Sequence, residues 1–112
     1  MKLAIIGSRT LTQVQIECHI PPNTTQIVSG GAAGIDTLAR HFAKEHGLPL
    51  TEFFPQYTLY GRAAPFKRNE QIAHYADAAL AFWDGKSKGT LYTIKLFQKL
   101  NKPVTVIFLD AN

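Results

Sequence analysis

Five short apolar runs alternate along the chain with segments of helical spacing, and nothing else in the sequence constrains the fold as tightly. The runs are KLAIIGS, TQIVSGG, PLTEFFP, AALAFWDG and PVTVIFLD, each ending at or beside glycine, proline or aspartate. Continuous apolar runs of this length are the pattern of strands buried on both faces, as in a parallel sheet. Helical patterns lie between them: a weak one over 12–19, a strong one over 34–46, and two more over 64–75 and 89–101. In the strong one Ile35, Leu38, Ala39, Phe42 and Ala43 make an apolar stripe, while Arg40, His41, Lys44 and Glu45 take the opposite side. Gly47 and Pro49 end it, as a left-handed stop followed by proline ends many helices. The third pattern has Pro65 in its first turn, where a missing N–H is harmless. The fourth turns Leu91, Ile94, Phe97 and Leu100 inward and gathers Lys95, Lys99 and Lys102 toward its C-terminal half, where cations suit the helix dipole. Parallel strands need right-handed crossovers, so the alternation predicts an α/β fold: a doubly wound, five-stranded parallel sheet of order 3-2-1-4-5, one domain over residues 1–112. The longest stretch lacking strand or helix character is PQYTLYGRAAP, residues 55–65.

Ligands of such sheets bind beyond the carboxyl ends of the strands, so the residues after each run carry the functional reading. The second run leads into VSGGAAGID, where Ser29, Gly30, Gly31 and Gly34 precede Asp36 in the first helical turn. Glycine there admits positive φ and lets a ligand reach the backbone amides that a helix N-terminus leaves free, an anion site suited to phosphate. After the first run come Gly7, Ser8 and Arg9; after the fourth come Asp84, Gly85, Lys86, Ser87, Lys88, Gly89 and Thr90. With Arg62, Lys67 and Arg68, that edge holds six of the chain's 12 basic residues, although the net charge is only +4. Asp36 and Asp84 are the candidate acid–base groups, each with a plainer reading: Asp36 as a favoured acid in a first turn, Asp84 as the cap of the DGKSKG loop.

The rest of the composition narrows the classes. No segment approaches the roughly 20 apolar residues of a membrane span, and MKLAIIGSRT is too short and glycine-interrupted for a secretory signal, so a cytoplasmic protein without membrane partner is expected. Cys18 is expected to be a buried, inert thiol. His19, His41, His46 and His74 show no ligand spacing, and no metal or cofactor is expected. Trp83 reads as packing at the core or rim. Phe42, Phe53, Phe54, Phe66, Phe82, Trp83 and Phe97 give more aromatic bulk than a small core absorbs, which predicts self-association as a homodimer through helix faces.

Neither standard nucleotide fingerprint is met, since GGAAG is not G-x-G-x-x-G and GKSKGT is not the P-loop. In order, however, GSR, VSGGAAGID, the RN of FKRNEQIA, and AFWDGKSKGT resemble the SLOG superfamily of Rossmann-like domains, particularly its small YspA-like branch, over nearly the whole chain. The resemblance extends to the Rossmann domain of the bacterial DNA-processing protein of transformation at SGGAAGID and FKRNEQIA, though without that protein's flanking domains. It extends also to the LONELY GUY phosphoribohydrolases, whose hallmark is P-G-G-x-G-T-x-x-E with an arginine in the preceding helix. Arg68 matches that arginine, and Gly89 and Thr90 match the G-T; Tyr92 and Thr93 stand where the catalytic glutamate would be. The resemblance implies a nucleotide-derived ligand, its phosphate cradled by Gly30, Gly31, Gly34, Gly89 and Thr90, neutralised by Arg9 and Arg68 with Asn69 alongside, and its ribose addressed by Asp36. A hydrolase of an N-glycosidic or phosphoester bond is the alternative, with Asp84 or Asp36 acting in place of the glutamate. Single-stranded nucleic-acid binding along Lys86, Lys88, Tyr57 and Tyr60 ranks third.

Overall fold

In the computed structural model, which describes residues 1–109, the five runs form five parallel strands: β1 (Lys2–Gly7), β2 (Gln26–Ser29), β3 (Leu50–Glu52), β4 (Ala78–Trp83) and β5 (Val104–Phe108). Their order is β3-β2-β1-β4-β5, as the alternation predicts. Asp110, the last residue of the fifth run, lies outside the described residues. At the centre, Leu3 pairs with Ala78 and Gly7 with Phe82, so the carboxyl ends of β1 and β4 lie side by side. Connections from these two strands leave in opposite senses, which opens a crevice between them.

Helices α1 (Ile35–Glu45), α2 (Tyr57–Tyr60), α3 (Ala64–Tyr75) and α4 (Lys88–Lys99) follow. The sheet has an apolar core on each face. On one, Leu3, Ile5, Ile27, Leu80 and Phe82 meet Ile35, Ala39 and Phe42 of α1; on the other, Ala4, Ile6, Val28, Ala79 and Ala81 meet Ile72 and Ala73 of α3 with Ile94 and Phe97 of α4. Four of the six residues in β1 are buried, and alternate ones enter opposite cores, which explains its uninterrupted apolar pattern. Helix α1 ends through Gly47, whose φ of 64° is the left-handed stop anticipated for it. Lys102 closes α3 by donating Nζ to the carbonyl oxygens of Ala73, His74 and Ala76 at 2.8, 2.9 and 2.8 Å.

Three expectations are corrected. The segment 12–19 is not an α-helix; only a 3-10 turn at Glu17–His19 forms. Val14 and Ile16 alternate with glutamines and are β-branched, so an extended chain buries Ile16 beside Leu11 against the α1 face more easily than a helix would. Cys18 is consequently exposed instead of buried. Within 55–65, α2 and a 3-10 turn at Gly61–Ala63 appear where no regular structure was expected. Of the aromatic bulk, Phe42, Phe82 and Phe97 are buried and Phe53 and Trp83 half-buried, while Phe54 and Phe66 are exposed. Among the described residues no helix is long and apolar enough to cross a membrane.

Candidate functional site

At the crevice between β1 and β4 lies a cavity of about 160 Å³. Three of its walls come from turns already singled out in the sequence and the fourth from the side of α3. The end of β1 contributes Ile6, Gly7 and Arg9, the loop before α1 contributes Gly30 and Ala32, and the first turn of α1 contributes Asp36. Pro65, Arg68, Asn69 and Ile72 come from α3, and Ser87, Gly89, Thr90 and Thr93 from the start of α4. Helix α3 lies along one side of this small space through Pro65, Arg68 and Ile72, while α1 and α4, of 11 and 12 residues, point their N-termini at it. Their aligned peptide dipoles make it a region of positive potential before any side chain is counted.

The start of α4 is the more open of the two. Ser87 is its N-cap, its Oγ accepting from the Thr90 amide at 3.3 Å and lying 3.0 Å from Thr90 Oγ1. Asp84 sets up that cap: its Oδ1 accepts from the amides of Lys86 and Ser87, both at 2.8 Å. The amides of Lys88 and Gly89 are the first two of the helix and have no intrahelical acceptor. A side chain on Gly89 would meet nothing within 4 Å, so that flank of the cavity is unobstructed.

Across from it, Arg68 is half-buried and held by two bonds, Nη1 to the Gly30 carbonyl at 2.6 Å and Nε to Asn69 Oδ1 at 2.8 Å. Burial pulls its pKa below the ordinary value, and the neighbouring Asp36 carboxylate opposes this. Asp36 is buried and its pKa lies above the ordinary 3.8, because desolvation outweighs the hydrogen bond from the Ala32 amide and the attraction of Arg68. That bond, from Ala32 N to Asp36 Oδ2, is 3.0 Å. Gly30 keeps the two charges close. A Cβ there would stand 2.6 Å from Arg68 Nη1 and 3.1 Å from Asp36 Oδ2, so no larger residue fits between them. Ser29 lies beside Asp36, fully buried, with a hydroxyl that has no hydrogen-bond partner of its own.

Of the residues anticipated from sequence, Gly7, Arg9, Gly30, Asp36, Arg68, Asn69, Ser87, Gly89 and Thr90 line the cavity. Ser8, Ser29, Gly31, Gly34, Asp84 and Gly85 do not, and for all of these but Ser29 the structure gives another reason. Ser8 joins β1 to β4, donating its amide to the Phe82 carbonyl and accepting from the Asp84 amide. Gly31, at φ 68°, is pressed against the Phe54 ring, so glycine serves the turn and its packing rather than the approach of a ligand. Gly34, at φ 70°, packs on the carbonyl oxygens of Ser8 and Arg9, and Gly85 on Phe108. Asp84 takes its plainer reading as a loop cap; the Lys86 and Ser87 amides hold its pKa below 3.8. Lys67 pairs with Glu70 at 3.8 Å, and Arg62, Lys86 and Lys88 are exposed. Sequence reasoning missed Ile6, Ala32, Pro65, Ile72 and Thr93 as wall residues. Thr93 had a signal, since it falls at the position of the absent glutamate: it is buried, and its hydroxyl donates to the Gly89 carbonyl at 2.9 Å. Tyr92 instead stacks edge-on against Phe66. Among the described residues no group of three or more His, Cys, Asp or Glu side chains is placed to hold a metal ion.

Comparison with known proteins finds the Gene 61 protein of Mycobacterium phage D29, 33% identical over 94 residues that cover 79% of this chain and 75% of that protein. No family model and no solved structure matches the chain.

Proposed function

The chain thus belongs to one family with the phage Gene 61 protein, and we propose that it binds or senses a phosphate-bearing ligand derived from a nucleotide. One observation carries the reading: the N-termini of α1 and α4 meet two arginines around a cavity whose α4 wall has uncapped amides and no side chain in the way. The phosphate sits on the amides of Lys88 and Gly89, with the hydroxyls of Ser87 and Thr90 beside it and Arg68 and Arg9 opposite. Asp36, an acceptor at the other side of the cavity, takes ribose hydroxyls. Placement in the SLOG superfamily, in its YspA-like branch, belongs to the same proposal and is supported by the four sequence motifs, each of which supplies cavity residues. So does a cytoplasmic setting. Self-association as a homodimer is supported by Phe66, left exposed on α3, and is checked by light scattering at micromolar to millimolar concentration.

The test is thermal melting with adenosine monophosphate, ribose 5-phosphate and adenosine. A ligand at about 100 times its dissociation constant stabilises the fold by roughly 2.7 kcal/mol, a shift of about 10 °C for a domain of this size. The phosphorylated ligands are expected to give that shift and adenosine much less; indifference to both phosphates refutes the reading. Buried Asp36, with its raised pKa, favours a second reading as a hydrolase of the same ligand class. Release of free base or inorganic phosphate, abolished in Asp36→Asn, decides for that alternative.

A further inference from the structure

The cavity is small for the ligand it is assigned. Sites that enclose whole drug-sized molecules measure roughly 300–1,000 Å³, so about 160 Å³ takes a phosphate and part of a pentose and leaves the remainder of a nucleotide outside. What surrounds the mouth is uneven. Phe54, Tyr57, Leu59, Tyr60 and Phe66 are all exposed, and they fall in one stretch that leads into cavity residues Pro65 and Arg68. The only other large apolar side chains exposed among the described residues are Val106 and Phe108, on the edge strand β5.

Two of these side chains adjoin the cavity. The Phe54 ring lies against Gly31, between wall residues Gly30 and Ala32, and leaves 53% of its surface open. Tyr57 is 59% exposed and opens α2, which packs against α3, the helix that carries Arg68. Neither is explained by the apolar cores, to which neither belongs. An aromatic ring held at the rim of a phosphate cradle offers a flat apolar face at little conformational cost, the arrangement on which nucleobases stack.

We propose that Phe54 and Tyr57 form the base-stacking subsite of the same ligand, so that the ligand runs from phosphate at α4, across Asp36, to an aromatic base over α2. This rests on the phosphate reading above. The occupant is the base of a free mononucleotide, because a cavity of about 160 Å³ has room for one phosphate and part of one pentose and none for a second nucleotide.

Calorimetry with ribose 5-phosphate, adenosine monophosphate and adenosine separates the parts. Stacking contributes on the order of 1–3 kcal/mol per base, so wild type binds adenosine monophosphate about 5- to 150-fold tighter than ribose 5-phosphate. In Phe54→Leu/Tyr57→Leu that advantage disappears while affinity for ribose 5-phosphate is kept; Tyr57→Leu alone, at an exposed position, reads part of the same loss should the double variant fold poorly. Equal wild-type affinity for the two phosphates, or an advantage that survives both substitutions, overturns the subsite. Binding of adenosine but of neither phosphate, lost in the double variant, keeps the base subsite and removes the phosphate reading. Tighter binding of an oligothymidylate than of thymidine monophosphate, falling steeply with salt, overturns the mononucleotide assignment in favour of a strand.

Discussion

Replacing Arg68 with methionine separates what the guanidinium does for the fold from what it does for a ligand. The change removes the 2.6 Å bond from Nη1 to the Gly30 carbonyl, a charged hydrogen bond of a kind that contributes about 1.5–3 kcal/mol, and the 2.8 Å bond from Nε to half-buried Asn69, whose amide can turn to water instead. It also removes a cost. Arg68 has a lowered pKa because burial penalises its charge more than Asp36 rewards it, so an apolar side chain of similar length is relieved of that penalty. The two effects oppose each other, and the unliganded variant is expected to stay within about 2 kcal/mol of wild type, inside the range of ordinary substitutions. Nothing offsets the loss on the ligand side. A missing charged bond to phosphate weakens binding by about 1.5–3 kcal/mol, or 10- to 150-fold. Trp83, the one tryptophan, donates Nε1 to the Ser87 carbonyl at 3.0 Å, so its fluorescence follows both urea unfolding and events at the start of α4. A methionine variant that loses more than about 4 kcal/mol of stability, or that binds ribose 5-phosphate as wild type does, refutes the argument: the first outcome makes Arg68 a structural strap, the second removes it from the cradle.

Other substitutions test the surrounding groups. Asp36 has a raised folded-state pKa, so the cost of its burial is absent below pH 3.8 and grows as pH rises through the raised value; Asp36→Asn should therefore melt above wild type at pH 7, the gap closing in acid. Melting curves across pH check it, and a variant that melts lower at pH 7 contradicts it. Asp84→Ala frees the Lys86 and Ser87 amides and should weaken ribose 5-phosphate binding with no effect on any turnover beyond that loss of affinity; because its pKa is depressed, wild type should show the same weakening only as pH falls below 3.8. Lys102→Met removes three bonds to the carboxyl end of α3 and should cost about 2 kcal/mol in urea unfolding.

The sheet was legible because its strands are buried on both faces, which leaves unbroken apolar runs such as AALAFW, and because crossover rules limit the orders such runs can take. Helix α3 begins and ends as its pattern predicts, since Pro65 fits only the first turn. The crossover after β1 was not legible: Leu11, Val14, Ile16 and Ile20 satisfy the core as an irregular segment, and periodicity cannot register packing without a repeat. At the site, sequence marked where glycine is required but not why. Gly30 lets two charges approach and Gly89 leaves space, whereas Gly31 and Gly34 are needed by neighbouring chain, and only the positions of Phe54 and the Arg9 carbonyl distinguish these cases. Asp84 was ambiguous for a similar reason, because capping depends on where the next two amides point.

The central pairing of β1 with β4 dictates how the molecule comes into being. Leu3 waits for Ala78, so during synthesis the first strand emerges long before its inner partner exists. With β2 and β3 made, the nascent chain can assemble only half of the sheet, with the apolar edge of β1 bare. Such an edge invites pairing with another chain, and pairings between distant segments form slowly. The crevice lies on the seam that joins the two halves of the sheet, since it needs the ends of both β1 and β4 and the first turns of α4. A ligand therefore has no complete site until the chain has been made as far as Thr93, and its presence would reward chains that reach that point while leaving shorter ones to aggregation and proteolysis.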